Sequence, residues 1–252
     1  MKHYVYGNGE SRKGFGVGRF DGVSWGCNAI HRDTEVDNLV VVDYGMQGEV
    51  LQSGYAKYNR CWFSDWELIP SEMKSEFSKN FDKEQIYEFG TDKGVCVING
   101  KQRPKDWFKI NDADKRERLL KESGLYIIYP SEDDKIQSIE DPKEWSAGST
   151  AVHLACQDGG CTELYMFGFD FILDDPTFSV QNLYDGSNGY GPETRASYND
   201  NINRSLYMTY IAQKNPNINF KFVLPRDQNK IHTINSNNVT GMYYESFDPE
   251  MR

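Results

Sequence analysis

The sequence predicts a single-domain α/β fold, a largely parallel sheet flanked by helices with an irregular middle. Three observations lead there. Three short β-prone runs fall within the first 45 residues, each ending in a polar residue beside a turn. The third, Leu39-Val40-Val41-Val42, is apolar without alternation, as expected of a strand buried on both faces of a parallel sheet. After residue 146 the pattern runs helix, strand, long loop, helix, strand, the order of a sheet with helical crossovers.

The elements follow in chain order. His3-Tyr4-Val5-Tyr6 is a strand that ends at Gly7, and Val23-Ser24-Trp25-Gly26-Cys27 is a second that ends at Asn28. The third ends at Asp43, and residues 45–60 can hold a short helix with Met46, Val50 and Leu51 on one face. Residues 65–145 read as an irregular insertion or lid. It includes strands at Val95–Ile98 and Leu125–Tyr129, a charged helix over Ala113–Glu122 and an acidic stretch over 131–144. Ser149 is the expected N-cap of a helix whose apolar face is Ala151, Val152, Leu154 and Ala155, stopped by Gly159-Gly160. Glu163–Phe169 is a strand that closes in Gly168-Phe169-Asp170-Phe171. Residues 172–194, with Pro176, Gly186, Gly189, Gly191 and Pro192, form a long loop of the length used for lids and binding loops. Residues 196–214 read as an amphipathic helix with Ile202, Leu206, Tyr210 and Ile211 inward, and Phe220–Leu224 as a further strand. No repeat and no linker composition marks a boundary, so residues 1–252 are expected to form one unit.

Composition narrows the function classes. The net charge is −10, which disfavours wrapping duplex DNA by bulk charge. Yet residues 1–32 carry five Lys or Arg against two acids, and residues 195–232 carry six against two. Two locally positive segments can meet around one phosphorylated ligand. No apolar run is long enough to span a bilayer, and Met1-Lys2-His3 leads straight into a strand pattern with no signal-peptide core. A cytoplasmic protein without a membrane span is the expectation. The five cysteines are scattered, with no C-x-x-C pair, so reduced thiols are expected rather than a zinc or redox motif.

Polar residues at the strand ends carry the candidate chemistry, because ligands of open α/β sheets bind beyond the carboxyl ends of the strands. Gly7-Asn8-Gly9-Glu10-Ser11 follows the first strand directly. Its glycines allow a phosphate to approach backbone N–H groups, or simply allow a tight turn. Arg12 stands where a dinucleotide fingerprint has its third glycine, so NAD binding is disfavoured, and no Walker A loop is present. Asn28 offers both donors and an acceptor to a ribose or base edge, or it caps its own turn. Asp43 can bind a hydroxyl or an amine, or cap the next helix. Without a D-x-D triplet nearby, no metal-dependent sugar transfer is expected. Gly148-Ser149-Thr150 opens a helix whose free N–H groups suit phosphate. Among the histidines, His153 reads as structural, while His31 and His232 are candidates to reach a ligand.

Taken together, these blocks resemble a known family. Gly7-Asn8-Gly9-Glu10-Ser11 resembles the G-N-G-P-S opening of the bacterial sialyltransferases with a variant Rossmann-like fold, and Cys27-Asn28 resembles their C-N motif after strand two. Gly148-Ser149-Thr150 and Leu164-Tyr165-Met166-Phe167-Gly168-Phe169-Asp170-Phe171 resemble their later S-G-x-x and Y-L-x-G-x-D-F blocks. Related openings occur in phage-encoded proteins. The resemblance implies a Rossmann-like, metal-independent glycosyltransferase with a nucleotide-sugar co-substrate. It would move the sugar to a hydroxyl of a glycan, or of a hydroxymethylated base in phage DNA within a host cytoplasm. The resemblance carries donor-binding roles to Asn8, Gly9, Asn28 and Ser149, with Asp170 and the loop tyrosines Tyr190 and Tyr198 shaping the sugar pocket, while Gly7, Ser11, Asp43, Gly148 and Thr150 complete the candidate donor-binding set. The family's histidine base has no counterpart in Thr194–Asn199, and Glu10 replaces its proline. Either His31, His232 or Asp170 serves as the base, or the chemistry is nucleotide binding or phosphate transfer without glycosyl transfer.

Overall fold

The computed structural model describes residues 1–15, 17, 20–57, 59–63, 96–97, 146–173, 180–192, 195–225 and 234–247. The expected helix at 113–122, the strand at 125–129, the acidic stretch at 131–144 and His232 lie outside the described residues.

The strands are β1 (Lys2–Tyr6), β2 (Val23–Cys27), β3 (Asn38–Val41), β4 (Arg60–Phe63), β5 (Cys96–Val97), β6 (Glu163–Phe167), β7 (Asn219–Leu224) and β8 (Val239–Tyr243). They form one sheet in the order β5-β4-β3-β2-β1-β6-β7-β8, with every pair parallel. The chain therefore starts mid-sheet, with Tyr6 opposite Gly26 of β2 on one side and Phe167 of β6 on the other. It winds outward to β5 and returns to build β6, β7 and β8. This is a Rossmann-like arrangement, and the order of strands reverses between β1 and β6.

Both faces of the sheet are covered, which explains the apolar runs. Val5, Val40, Leu164, Met166, Phe220 and Phe222 point to one face. There they meet α2 (Ala147–Gln157) and α3 (Tyr198–Lys214) through Ala151, Val152, Ala155, Met208, Ile211 and Ala212. Tyr4, Tyr6, Leu39, Val41, Tyr165 and Phe167 point to the other face. They meet Met46 and Val50 of α1 (Tyr44–Gln52), the loop residue Phe15, and Tyr244 from a final helical turn, Tyr244–Phe247. Among its described residues the β1–β2 crossover holds a single 3₁₀ turn, Glu10–Arg12. Its glycine density (Gly14, Gly16, Gly18 and Gly22) disfavours a longer helix. Packed rings fill the space, Phe15 stacking on Phe167 at 4.9 Å and lying tilted against Tyr244 at 4.7 Å.

Three expectations need correction. Ser146, not Ser149, caps α2: its backbone is extended, and its hydroxyl accepts from Ser149 N at 3.2 Å. A cap precedes the helix by definition, and Ser149 already lies inside the first turn. On α3 the inward stripe is Asn201, Tyr207, Met208, Ile211 and Ala212, whereas Ile202 and Leu206 are 47% and 43% exposed. Ile211 and Tyr210 pack inward as expected, but Ile202 and Leu206 lie one row off the stripe that meets the sheet. The α3 start is fixed by a capping box, Ser197 with Asp200. Finally, β4 and β8 were not expected. β4 offers only Cys61-Trp62-Phe63 as an apolar signal, without β-branched residues, and β8 has exposed residues at its centre. Cys27, Cys61, Cys156 and Cys161 are free thiols, and burial pushes Cys27 up to about 12 and Cys161 to about 11.

Candidate functional site

The reversal between β1 and β6 is where an open α/β sheet usually leaves a crevice. Here the two strand ends are stitched together. Gly7 N donates to Phe167 O at 2.7 Å and Gly9 N to Gly168 O at 2.9 Å. Ser11 donates to both oxygens of Asp170, through its backbone N at 2.8 Å and through its hydroxyl. A Cβ at Gly7 would stand 2.6 Å from Gly168 O, and one at Gly9 would stand 2.5 Å from Asp170 Oδ2. The two glycines are thus required by backbone packing, and their N–H groups are engaged inside the protein. The side chain between the two glycines is Asn8, whose Nδ2 donates to Tyr190 OH at 3.0 Å.

Asp170 is 3% exposed, and burial raises its carboxyl to about 6, with the two Ser11 bonds opposing the rise. With both oxygens held by Ser11, its place is the clamp between the β1 and β6 loops. Its folded-state pKa lies above the unfolded value. Below about pH 4 both states are protonated, and stability from this group declines as pH rises towards about 6. The loss approaches about 3 kcal/mol in total. Asp170→Asn removes that titration. Urea midpoints measured from pH 4 to 6.5 are therefore expected to fall more steeply with pH in the wild type than in the variant. Parallel profiles would show that Asp170 is not held as described.

The second convergence lies at the carboxyl ends of β1, β2 and β3. Asn28 is the one non-glycine residue with positive φ among the described residues, at 45°. This conformation turns its side chain back over the strand ends, where Oδ1 accepts from Val42 N at 3.3 Å and Nδ2 donates to Asp43. Asn tolerates this left-handed geometry better than most residues. Tyr190 reaches in from the long loop, and its phenolic oxygen accepts from Asn8 Nδ2 at 3.0 Å, beside Asn28 and Ala29. Burial pushes the Tyr190 hydroxyl up to about 12. Four of the expected residues, Asn8, Asn28, Asp43 and Tyr190, are therefore brought together from three strand ends and one loop.

Other candidates stand elsewhere. His31 lies in the 3₁₀ turn Asn28–Arg32 with a nearly buried ring, its Nδ1 3.0 Å from Asn28 O and its Nε2 3.3 Å from Glu49 Oε1. Both ring nitrogens are thus occupied. Gly148, Ser149 and Thr150 form the first turn of α2. There the Ser149 and Thr150 hydroxyls turn back to Ser146, and the Phe169 ring lies beside Gly148. Tyr198 is the first residue of α3, and its side chain is outside the described set.

Two arginines that the sequence reading passed over hold the site in shape. Arg12, buried, donates from Nε to Gly7 O at 3.0 Å and from Nη2 to Tyr184 OH at 3.2 Å. Tyr184 in turn donates to Asp33 at 2.5 Å. Arg32 grips Glu49 at 2.5 and 2.6 Å and also donates to Ser187 Oγ at 2.8 Å and Asn188 O at 2.7 Å. Its guanidinium lies 5.7 Å from the centre of the Tyr184 ring and 6.0 Å from that of Tyr190. With Leu183 N donating to Asn8 O at 2.9 Å, these contacts pin residues 180–192 onto the carboxyl edge. The available signal was Arg12 itself, in the place of the third glycine. It was read only as a departure from a motif.

Among the described residues, no three His, Cys, Asp or Glu side chains come together in a way that could hold a metal ion. No described helix is long and apolar enough to cross a membrane. Comparison with protein-family models, curated proteins and solved structures gives no match. The resemblance to the sialyltransferases thus stands on its motifs alone.

Proposed function

We propose that this chain binds a nucleotide sugar at the carboxyl edge of its sheet and transfers the sugar to a hydroxyl acceptor without a metal ion. The observation that carries the reading is the meeting of Asn8, Asn28, Asp43 and Tyr190 beyond β1, β2 and β3. Those strand ends are where open α/β sheets hold nucleotides. The amides supply donors for a leaving phosphate, whose developing charge they would stabilise. Asp43 supplies an acceptor for a sugar or ribose hydroxyl. The motif resemblance adds the glycosyl-transfer chemistry, with a glycan or a hydroxymethylated DNA base as the acceptor.

A second reading is nucleotide binding or phosphate transfer on the same site without glycosyl transfer. One observation favours it: both nitrogens of His31 and both oxygens of Asp170 are engaged within the protein. A general base needs a free lone pair facing the acceptor. A thermal-shift panel of CMP, CDP, UMP, UDP and GDP, then of their sugar conjugates, with and without magnesium, separates the readings. Specific binding raises the melting temperature by mass action. A magnesium-independent shift with one nucleotide, larger for its sugar conjugate, is expected for the transferase. Equal shifts with and without the sugar favour the second reading, and no shift with any of them removes both.

A further inference from the structure

Four side-chain nitrogens converge on Glu49 of α1, two on each carboxylate oxygen. Oε1 lies 2.5 Å from Arg32 Nε and 3.3 Å from His31 Nε2. Oε2 accepts from Arg32 Nη2 at 2.6 Å and from Asn188 Nδ2 at 2.9 Å. A carboxylate has about four lone-pair sites, so it can accept from all four. The Arg32 bonds hold the Glu49 carboxyl below its ordinary range, which makes it an anion. The His31 ring therefore stands between two groups that only accept. Its Nδ1 lies 3.0 Å from the Asn28 carbonyl oxygen, and its Nε2 faces the Glu49 carboxylate. A neutral imidazole carries one N–H and one lone pair. Whichever nitrogen keeps the lone pair sets it against an acceptor oxygen, and turning the ring over puts carbon at both contacts. The side chain is 4% exposed, so water has little access to relieve the mismatch. Only the imidazolium, with two N–H groups, satisfies both neighbours. The other groups nearby do not change this. Glu49 is the one charged residue of α1, and β3 brings no titratable side chain. From β2 comes Cys27, whose thiol burial pushes up to about 12. The Tyr55 ring packs edge-on at 5.7 Å, and burial raises its phenol far above the ordinary value. Arg32 follows His31 in the same turn, and Asp43 meets the side chain of Asn28.

We infer that His31 is an imidazolium in this fold and serves as a positioning residue, its second proton completing the Glu49 seat that latches residues 180–192 onto the carboxyl edge of the sheet. Glu49 is where that loop meets α1. Asn188 Nδ2 reaches the carboxylate directly, and Arg32, bound to it twice, also holds Ser187 Oγ and Asn188 O. When the ring gives up its Nε2 proton, a lone pair is left 3.3 Å from a carboxylate oxygen. The nearly buried ring is fixed by its turn and by its Nδ1 contact with Asn28 O, whereas Glu49 and Arg32 are partly exposed. The carboxylate yields, and its loop partners move with it. The sign follows from the charge: the latch is closed on the acid side of the ring's titration and loosens as pH rises through it. Histidine is the side chain that ordinarily changes charge between about pH 5 and 8. The latch works in this way whatever ligand the strand ends hold.

The test is nitrogen NMR of the histidine rings together with amide hydrogen exchange, on the full chain, from about pH 5.5 to 8.5. His31→Gln assigns the His31 signal among the four histidines. At the acid end both His31 nitrogens are expected to carry protons. As pH rises the ring should lose one of them. The amides of Leu183, which donates to Asn8 O, and of Tyr190, which donates to Ser187 O, should lose protection with the same midpoint. A loss of about tenfold is expected, after correction for the intrinsic pH dependence of exchange. Amides of β1 and β6 should not follow, which separates release of the loop from general unfolding. Glu49→Gln keeps the shape of the seat and removes its charge. It should move the His31 titration to lower pH and leave the loop equally unprotected at both ends of the range. His31→Gln should abolish the pH dependence of the loop. Should that variant fail to fold, the wild-type titration and Glu49→Gln still decide. A His31 ring that is neutral across the range overturns the latch. So does an imidazolium whose titration leaves the protection of residues 180–192 unchanged. Loosening that persists with the same midpoint in His31→Gln belongs to another group and overturns it too.

Discussion

Asn28→Ala is expected to lose nucleotide binding altogether and to lower stability by about 2–4 kcal/mol. The size follows from what the residue does. Its side chain satisfies Val42 N with one end and Asp43 with the other, and its backbone sits at φ 45°. Alanine removes both partners and, lacking the local side-chain bonds, tolerates the left-handed region less well than asparagine. Asn28→Gly removes the same side chain without the strain. The glycine variant should therefore be the more stable of the two by about 1 kcal/mol, with equally lost binding. Urea unfolding and nucleotide titration of the pair check this. Equal stabilities would mean that backbone strain contributes nothing at this position. Retained nucleotide affinity in the folded glycine variant would remove Asn28 from the site.

The same residue shows how far the sequence could be read. The strand before Asn28 was legible because Val23–Cys27 has β-prone side chains and a polar stop, and the placement of a ligand site at such stops follows from topology. Asn8, Asn28 and Asp43 were legible for that reason, each directly after or one residue beyond a strand. Their mutual contacts were not, because they depend on β2 and β3 lying on the same side of β1, a fact of sheet order. The role of Gly7 and Gly9 was left open between a phosphate loop and a tight turn for a related reason. A glycine tells that something approaches closely, but not whether it is a phosphate or, as here, the carbonyl of Gly168. Arg12 and Arg32 were illegible as site builders because their partners, Tyr184, Glu49, Ser187 and Asn188, are remote in sequence or have no strand or helix signal. On α3, the Ile202 and Leu206 row was as apolar as the true stripe, so periodicity alone could not choose between them.

Gly9→Ala carries the largest expected effect on the fold. The added Cβ would lie 2.5 Å from both Cγ and Oδ2 of Asp170 and 2.6 Å from Gly168 O. None of these atoms is free to yield. Asp170 is buried and held by two bonds from Ser11, and Gly168 O accepts from Gly9 N itself. Relief requires the loop to rise off β6, which breaks the clamp. Overpacking costs about 1–3 kcal/mol and loss of charge-assisted bonds about 1.5–3 kcal/mol. A loss of about 3–5 kcal/mol is therefore expected, a large part of the stability of an ordinary domain. The same substitution at Gly48 in α1 meets no atom within 4 Å and should instead stabilise by about 0.5–1 kcal/mol through helix propensity. The clamp also leaves a signature that general destabilisation would not. Once the loop lifts, Asp170 reaches water and returns towards the usual aspartate range, so the stability loss of the wild type between pH 4 and 6 should shrink in Gly9→Ala. Combining Gly9→Ala with Asp170→Ala removes one of the two obstacles, so the double variant should be more stable than the sum of the single changes predicts. The Gly168 carbonyl remains, so the rescue should be partial. Strict additivity would place the strain at Gly9 on the carbonyl alone and take Asp170 out of the loop's support. Because Asn8 lies between the two glycines, its amide moves with the loop. Nucleotide affinity in the folded fraction of Gly9→Ala should then fall along with stability, which ties the packing of a backbone turn to the chemistry at the strand ends.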